Sequence, residues 1–304
     1  MGGIAFIFSG QGAQRTGMGL SFYSKFPKVK ELFDKAEKIR PGTLSQMFEG
    51  DGEELKQTQN TQPCLYLTDL APALALTENG IKPAALAGFS LGEIPALAFG
   101  GAYSYETGFE IATIRGKLMA EAANKNPAVM AAVLKLENSV VEDLCKKYKN
   151  VYPANYNCPG QIVVSGAAGE MASFTEEVKN AGGRVMMLNV SGGFHSPFMA
   201  LAAEGFSAAL EGFEISNPAV PVYSNLTARP YDGDVKSLLV GQITGSVKLE
   251  ETIKNMTAAG IDTFIECGVG GVLQKLVQKI NPGVKAYSLE DALQIETIKT
   301  EVSA

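Results

Sequence analysis

A short apolar run that leads directly into a glycine-flanked serine does most to limit how this chain can fold. The run PAALAG, residues 83–88, is bounded by proline and glycine, which is typical of a buried strand. Helical periodicity follows over residues 91–123. The segment GFSLGE between them must therefore turn sharply from strand into helix, and Gly88 and Gly92 permit such a turn. The pattern predicts that Ser90 projects from the carboxyl edge of a sheet.

Short apolar runs and helical patterns alternate along much of the chain. A strand is predicted at residues 4–10, and helices are predicted near 28–38 and over 64–80. Farther along, the patterns predict a helix over 196–213, a strand over 220–225, a helix from about residue 248, a strand over 262–267 and a last helix after residue 271. This alternation is typical of an α/β sheet with helices on both faces.

Residues 128–190 show a different order of strand and helix patterns. Their patterns indicate a strand, a helix, two strands, a helix and a strand, and this β-α-β-β-α-β order is that of a ferredoxin-like fold. Both ends of the unit are strand ends, so we expect it to be inserted into a larger domain. The expected division is a small subdomain at 125–190 within a large subdomain formed by 1–124 and 191–304.

Composition excludes several classes of protein. With 304 residues, 46% of them hydrophobic, the chain can bury a sizeable core. It has no apolar stretch of bilayer-spanning length, and its first residues lack the basic segment of a signal peptide. The four cysteines lie far apart without a C-x-x-C pair, which argues against a zinc site or a disulfide scaffold. We therefore expect a cytoplasmic protein without a metal.

The net charge of −6 argues against nucleic acid as the main partner. An acidic protein partner would need only a local basic patch, and residues 28–40, 145–149 and 274–279 are candidates. Each is also consistent with an ordinary solvated helix face. No feature of the sequence indicates the oligomeric state, and we expect a monomer.

Ser90 has two interpretations. At a helix N-terminus, backbone N–H groups and the helix dipole favour developing negative charge, which suits a nucleophile. The same position suits a serine that only caps a buried helix. The strand before it and the helix after it favour the nucleophile.

The chain contains one histidine, His195, on a glycine-bearing loop in VSGGFHSPFM. If Ser90 has a histidine base, only His195 is available. In the chain order of an α/β-hydrolase, a carboxylate that orients the histidine should lie between the two residues in sequence. The only aspartate there, Asp143, falls in a predicted helix of the inserted unit. A backbone carbonyl can hold the second imidazole nitrogen equally well.

Arg115 lies in an apolar helical stripe, together with Ile111, Leu118, Met119 and Ala122. An arginine in such a stripe is rarely buried without an anion. It can extend to solvent, form an internal ion pair or grip a substrate carboxylate. Beside a serine nucleophile, the last interpretation indicates acyl transfer from a thioester or ester that carries a free carboxylate.

Two glycine-rich segments, residues 8–19 and 268–273, fail the dinucleotide and phosphate-loop patterns. Nucleotide binding is therefore not expected. A tight loop beside the serine could instead present a backbone N–H to an oxyanion.

Seven stretches in the same order resemble the malonyl-CoA:acyl-carrier-protein transacylases and the acyltransferase domains of polyketide synthases. They run from residue 6 to about 276 and are FIFSGQGAQ, GFSLGE, IRGKLM, NYNCPGQIVVSG, SGGFHSPFM, QITGSVKLEETI and IECGVGGVLQKL. The resemblance implies an α/β-hydrolase-like core with an inserted ferredoxin-like subdomain. It also implies malonyl-CoA and acyl carrier protein as partners, with no cofactor beyond the thioester substrates.

The resemblance further implies roles for individual residues. Ser90 would be the acylated nucleophile, His195 its general base, and the backbone carbonyl of Gln242 the group that orients His195. The remaining roles concern the substrate: Gln11 and Leu91 would form the oxyanion hole with their N–H groups, Arg115 would pair with the malonyl carboxylate, and Phe194 would disfavour a methyl branch.

The sequence departs from the family pattern at Phe89, where members usually carry histidine, and this affects the expected fine selectivity. Pro95 also lies in the predicted helix, where a proline removes a backbone bond. Three alternatives to malonyl transfer in fatty-acid synthesis are a thioester hydrolase, a trans-acting polyketide acyltransferase and a non-catalytic carrier-binding scaffold.

Overall fold

The computed structural model describes residues 2–190 and 192–303. The predicted domain limits at residues 1, 191 and 304 lie outside the described residues. The strands are β1 Gly3–Phe8, β2 Ala85–Gly88, β3 Val129–Leu134, β4 Val151–Cys158, β5 Gln161–Gly166, β6 Arg184–Met187, β7 Val222–Tyr223, β8 Ile261–Cys267 and β9 Lys285–Leu289. The helices are α1 Leu20–Lys25, α2 Pro27–Ile39, α3 Thr43–Phe48, α4 Gly52–Lys56, α5 Thr58–Glu78, α6 Glu93–Phe99, α7 Tyr105–Lys125, α8 Asn138–Cys145, α9 Ala168–Asn180, α10 Ala200–Leu210, α11 Val235–Thr244, α12 Leu249–Ala258, α13 Val272–Ile280 and α14 Ile295–Ser303.

Five strands form a parallel sheet in the order β7-β2-β1-β8-β9. Successive side chains of a strand point to opposite faces of the sheet, so alternate residues of β1 pack in two different cores. Phe6 and Phe8 pack in the core that contains α5 and α7, whereas Ala5 and Ile7 pack in the core with α12 and α13. Helices therefore cover both faces of this sheet.

Four strands form an antiparallel sheet in the order β4-β5-β3-β6. One face, including Ala131 and Val133, packs against α8 and α9. On the other face, Met130, Ala132 and Val163 join the larger core of the parallel sheet. The predicted mixed α/β fold is confirmed, with one parallel and one antiparallel sheet, and the antiparallel sheet lies against the body of the protein.

The helical periodicity over residues 91–123 corresponds to two helices, α6 and α7. A single 3₁₀ turn at Ser90–Gly92 leads into α6, and α7 begins only at Tyr105. The break follows from Gly101, whose φ of 87° is left-handed and ends the helix. Pro95 is the third residue of α6, within the first turn, where the N–H it lacks would have no intrahelical partner.

Within residues 2–190 and 192–303, no helix has the length and apolar character needed to cross a membrane. The four cysteines are buried, and each carries a free thiol.

Candidate active site

Ser90 lies directly beyond β2 in a left-handed conformation with a φ of 55°. Such a conformation costs a residue with a side chain roughly 1–2 kcal/mol. The neighbouring glycines are required by close contacts, because a Cβ on Gly88 would lie 1.9 Å from the Gly92 carbonyl carbon and one on Gly92 would lie 2.2 Å from the Phe8 oxygen. The sharp turn predicted from GFSLGE is therefore present.

The structure brings His195 to Ser90, with the Ser90 Oγ 2.7 Å from the His195 Nε2. The His195 Nδ1 lies 2.9 Å from the backbone oxygen of Gln242. A carbonyl oxygen can only accept, so Nδ1 carries the proton and Nε2 is free to accept from the serine hydroxyl. The third member of the site is thus a backbone carbonyl, and Asp143 instead pairs with Lys146 on the surface.

Burial, and to a smaller extent the nearby Arg115 guanidinium, lowers the pKa of His195 to about 4. The imidazole is only 4% exposed. It is therefore neutral at neutral pH, which is the form that can take a proton from Ser90.

Arg115 projects from α7 and is 1% exposed. Its Nη1 donates to the Gln62 Oε1 at 2.9 Å, and its Nη2 donates to the Gln242 Oε1 at 2.7 Å and to the Ser90 Oγ at 3.3 Å. All three acceptors are uncharged. Burial lowers the pKa of Arg115 to about 10, so the side chain keeps its positive charge at neutral pH beside the serine.

A cavity of about 340 Å³ opens in front of Ser90 and His195. Gln62, which Arg115 contacts, lines this cavity, whereas Arg115 itself does not. The guanidinium therefore lies just behind the lining, in contact with the lining residues Gln62 and Ser90.

The antiparallel sheet supplies one wall of the cavity, through Met130, Ala132 and Val163. Phe194 is 8% exposed and also lines the cavity. Its backbone oxygen accepts a hydrogen bond of 2.7 Å from the Ser165 hydroxyl, which belongs to β5. The loop that carries His195 therefore contacts the antiparallel sheet at Ser165 and the end of the parallel sheet at Ser90.

Gln11 and Leu91 both line the cavity. Leu91 follows Ser90 in the 3₁₀ turn, and the side chain of Gln11 donates to the Thr58 hydroxyl at 3.3 Å. Their expected role as oxyanion donors remains a prediction. Phe89, at the position of the usual histidine, adds an apolar side chain to the same cavity.

Sequence reasoning missed several polar residues that surround Ser90. Glu93, Asn225 and Tyr231 form a buried hydrogen-bonded group that contacts the backbone of Ser90, and Gln62 accepts a hydrogen bond from Arg115. The available signal was a polar residue inside an apolar helix, as for Glu93, or directly after a strand, as for Asn225. In the part of the chain that the structure describes, no three His, Cys, Asp or Glu side chains stand together as a metal site.

Comparison with known proteins identifies the family. The profile of the acyl transferase domain matches residues 5–298. The chain belongs to this family. A relative from Bacillus subtilis, the malonyl CoA-acyl carrier protein transacylase, is 40% identical, and the match covers 99% of each chain.

Solved structures agree with this assignment. The malonyl CoA-acyl carrier protein transacylase of Clostridium perfringens superposes with a TM-score of 0.95 at 34% identity, covering 99% of this chain and 97% of the other. A malonyl-transacylase solved in complex with a type II PKS acyl-carrier protein superposes with a TM-score of 0.94 at 30% identity, covering 98% and 99%. This acyl transferase therefore shares its whole fold with enzymes that carry that name.

Proposed function

We propose that this acyltransferase moves a malonyl group from malonyl-CoA to the phosphopantetheine thiol of an acyl carrier protein, for chain extension in fatty-acid synthesis. The observation that carries the proposal is the Ser90–His195 hydrogen bond with the cationic Arg115 directly beside the same hydroxyl. The pair supplies a nucleophile and its base, and the arginine supplies a charge that suits the free carboxylate of a malonyl group.

In the first half-reaction, the His195 Nε2 takes the hydroxyl proton as the Ser90 Oγ attacks the thioester carbonyl. The C–O bond forms and a tetrahedral oxyanion develops. When the intermediate collapses, the C–S bond breaks, and the CoA thiolate leaves with the proton from His195. A malonyl ester then remains on Ser90.

In the second half-reaction, the carrier thiol gives its proton to His195 and attacks the malonyl ester. The C–S bond forms, the C–O bond to Ser90 breaks, and the serine oxygen recovers the proton from His195. The Gln242 carbonyl stabilises the imidazolium that forms in both steps, because it accepts from Nδ1 throughout.

We assign the oxyanion to the backbone N–H groups of Gln11 and Leu91, whose residues both border the cavity at Ser90. The substrate carboxylate would replace the neutral amide oxygen of Gln62 or Gln242 as the acceptor of the Arg115 guanidinium. A carboxylate accepts more strongly than an amide because the hydrogen bonds are charge-assisted. Phe194 would limit branching at the malonyl carbon.

The proposal also includes the fold type of each of the two subdomains. A left-handed nucleophile between strand and helix supports an α/β-hydrolase-like core, formed by residues 1–124 and 191–304. The antiparallel order β4-β5-β3-β6 has the first strand of the unit beside the third and the fourth, as a ferredoxin-like subdomain at 125–190 requires. A cytoplasmic location, a monomeric state and independence of metals and nucleic acid remain predictions.

For the carrier, we propose a docking surface beside α13. Lys275 and Lys279 are exposed on this helix, and its residues Leu273 and Leu276 line the cavity. An acidic partner is attracted by such charges in a salt-dependent manner. Charge reversal at Lys275 and Lys279 should slow the second half-reaction at low salt without slowing the first.

The transfer itself is tested by mixing the enzyme with malonyl-CoA and a holo acyl carrier protein. We expect malonyl-carrier as the main product, and none with the apo carrier, which lacks the thiol. Release of free malonate as the main product would favour the thioester hydrolase. No product from the wild type, with the carrier bound equally well by the wild type and by a Ser90→Ala variant, would favour a non-catalytic scaffold. Parallel assays with fatty-acid and polyketide carriers separate the two pathways.

A further inference from the structure

We propose that Asn225 is a positioning residue for the nucleophile, whose side-chain amide clamps both ends of the left-handed turn at Ser90. Its Oδ1 accepts from the Ser90 N–H at 2.7 Å, and its Nδ2 donates to the Gly88 backbone oxygen at 2.6 Å. The two partners fix the orientation of the amide, because an N–H can only donate and a carbonyl can only accept. This inference rests on the proposed role of Ser90 as the nucleophile.

The sheet explains how a residue 135 positions away reaches Ser90. Strand β7 pairs with β2 in parallel, with Leu86 opposite Val222 and Ala87 opposite Tyr223. The carboxyl ends of the two strands therefore lie at the same edge of the sheet. Asn225, two residues beyond β7, then stands next to the turn that follows β2.

Ser90 needs an outside partner for a physical reason. Its N–H lies at the start of a helical turn, where no intrahelical acceptor exists. A left-handed residue also persists only where its surroundings hold it in place. Asn225, which is 2% exposed, provides both the acceptor for the N–H and a contact that restrains the turn.

Asn225 is itself held at its backbone. Its N–H donates to the Glu93 Oε1 at 2.9 Å, and its carbonyl oxygen accepts from the Lys248 N–H at 2.9 Å. The same Glu93 oxygen accepts from the Tyr231 hydroxyl at 2.6 Å. The clamp is therefore anchored by a fully buried carboxylate.

Glu93 also connects the clamp to the base. Its Oε2 accepts from the Gln242 Nε2, which in addition donates to the Ser90 backbone oxygen at 2.7 Å. The backbone oxygen of Gln242 is the acceptor for His195. One buried network therefore fixes the turn that carries the nucleophile and the residue that orients the base.

The test compares the wild type with Asn225→Leu, which removes both hydrogen bonds at similar volume, and Asn225→Asp, which keeps the oxygen that accepts from Ser90. Asn255 provides a control, because this partly buried residue does not line the cavity and its Nδ2 donates a 2.8 Å hydrogen bond to the Ala228 backbone oxygen. Each variant is assayed for kcat and KM with malonyl-CoA and for the rate at which a fluorophosphonate modifies Ser90. The fluorophosphonate rate reports the placement of the serine whatever the natural acyl donor is.

We expect the fluorophosphonate rate and kcat to fall about 10²-fold in Asn225→Leu and less in Asn225→Asp, with KM nearly unchanged, because misplacement of a reacting group by about 1 Å has an effect of this size. The Asn255→Leu and Asn255→Asp controls should keep both rates. If Asn225→Leu does not fold, the comparison of Asn225→Asp with Asn255→Asp decides.

A folded Asn225 variant that reacts with the fluorophosphonate at the wild-type rate would overturn the proposal. Equal losses in the Asn225 and Asn255 variants would also overturn it, because they would show a general structural effect. A wild-type enzyme that reacts with the fluorophosphonate but fails to transfer malonyl groups would refute the proposed function and leave the clamp in place.

Discussion

The two sheets contribute to one cavity in different ways. At the carboxyl edge of the parallel sheet, Ser90 and His195 both have left-handed conformations, with φ values of 55° and 58°. Hydrogen bonds join the Ser90 N–H to Asn225 and the His195 ring to the Gln242 carbonyl. The antiparallel sheet lines the cavity with the apolar residues Met130, Ala132 and Val163 and with the uncharged polar residues Asn155, Asn157 and Gln161, and its edge strand β6 leaves Met186 and Met187 exposed.

This difference indicates a division of labour. Strain and buried polar contacts are concentrated where atoms must be placed for chemistry. Among the described residues, the wall formed by the antiparallel sheet carries no charged side chain, and its shape can limit which acyl group fits. Phe194 lies where the two regions meet, through its contact with Ser165. Changes in the first region should therefore affect rate, and changes in the second should affect selectivity.

The largest difference between the regions is expected for His195→Ala. Loss of the general base should lower the acylation rate by about 10³-fold, within the usual range for such groups. The comparison variant Tyr156→Phe removes a hydroxyl contact with Glu142 in the antiparallel unit and should change the rate by less than about twofold. Rapid-quench measurement of CoA release checks both, and similar losses in the two variants would break the comparison.

Arg115→Ala should lower kcat/KM for malonyl-CoA by about 10²-fold, which corresponds to a charged hydrogen bond of about 3 kcal/mol. Turnover of acetyl-CoA should rise, because the buried cation no longer stands unpaired beside an uncharged acyl group. Steady-state kinetics with both thioesters tests this, with the unfolding midpoint as a check on folding. Unchanged malonyl turnover would show that the carboxylate binds elsewhere.

Phe194→Ala should raise the ratio of kcat/KM for methylmalonyl-CoA over malonyl-CoA by about tenfold, since space for one extra carbon is worth roughly 1–3 kcal/mol. Phe198→Ala is the matched control, because this ring packs against Tyr152 and does not line the cavity. Competition between the two thioesters gives the ratio directly. An equal rise in both variants would assign the effect to loosening of the fold.

The smallest expected effect is that of pH. A histidine at its ordinary pKa would be about 90% protonated at about pH 5.5, and the acylation rate would fall roughly tenfold. Because the pKa of His195 is lowered to about 4, protonation occurs only as the pH falls toward that value. The acylation rate at about pH 5.5 should therefore stay within about twofold of its neutral value. An acid limb centred near the ordinary histidine pKa would contradict the burial argument.

Local patterns were enough to predict the turn at Ser90, because a strand, two glycines and a helix lie within a few residues of each other. His195 could be chosen because the chain has no other histidine. Most long elements were also predicted. The short helices α1, α3 and α4, of five or six residues, carry too few turns to show a period, and α11, α14 and β9 were missed as well.

The supporting contacts could not be predicted in the same way. The bond from Ser90 to Asn225 spans 135 positions, and that between Gln242 and Glu93 spans 149. Such contacts depend on how elements that are distant in sequence pack together, and local sequence patterns do not reveal that packing. The role of Gln62 as the partner of Arg115 was hidden for the same reason.

The central claim is that Ser90 carries the malonyl group as an ester. Incubation of the enzyme with labelled malonyl-CoA, without a carrier, tests it most directly. We predict close to one label per chain on the peptide that contains Ser90, and none in the Ser90→Ala variant. Active wild-type enzyme that acquires no label, or label on another residue, would contradict the account.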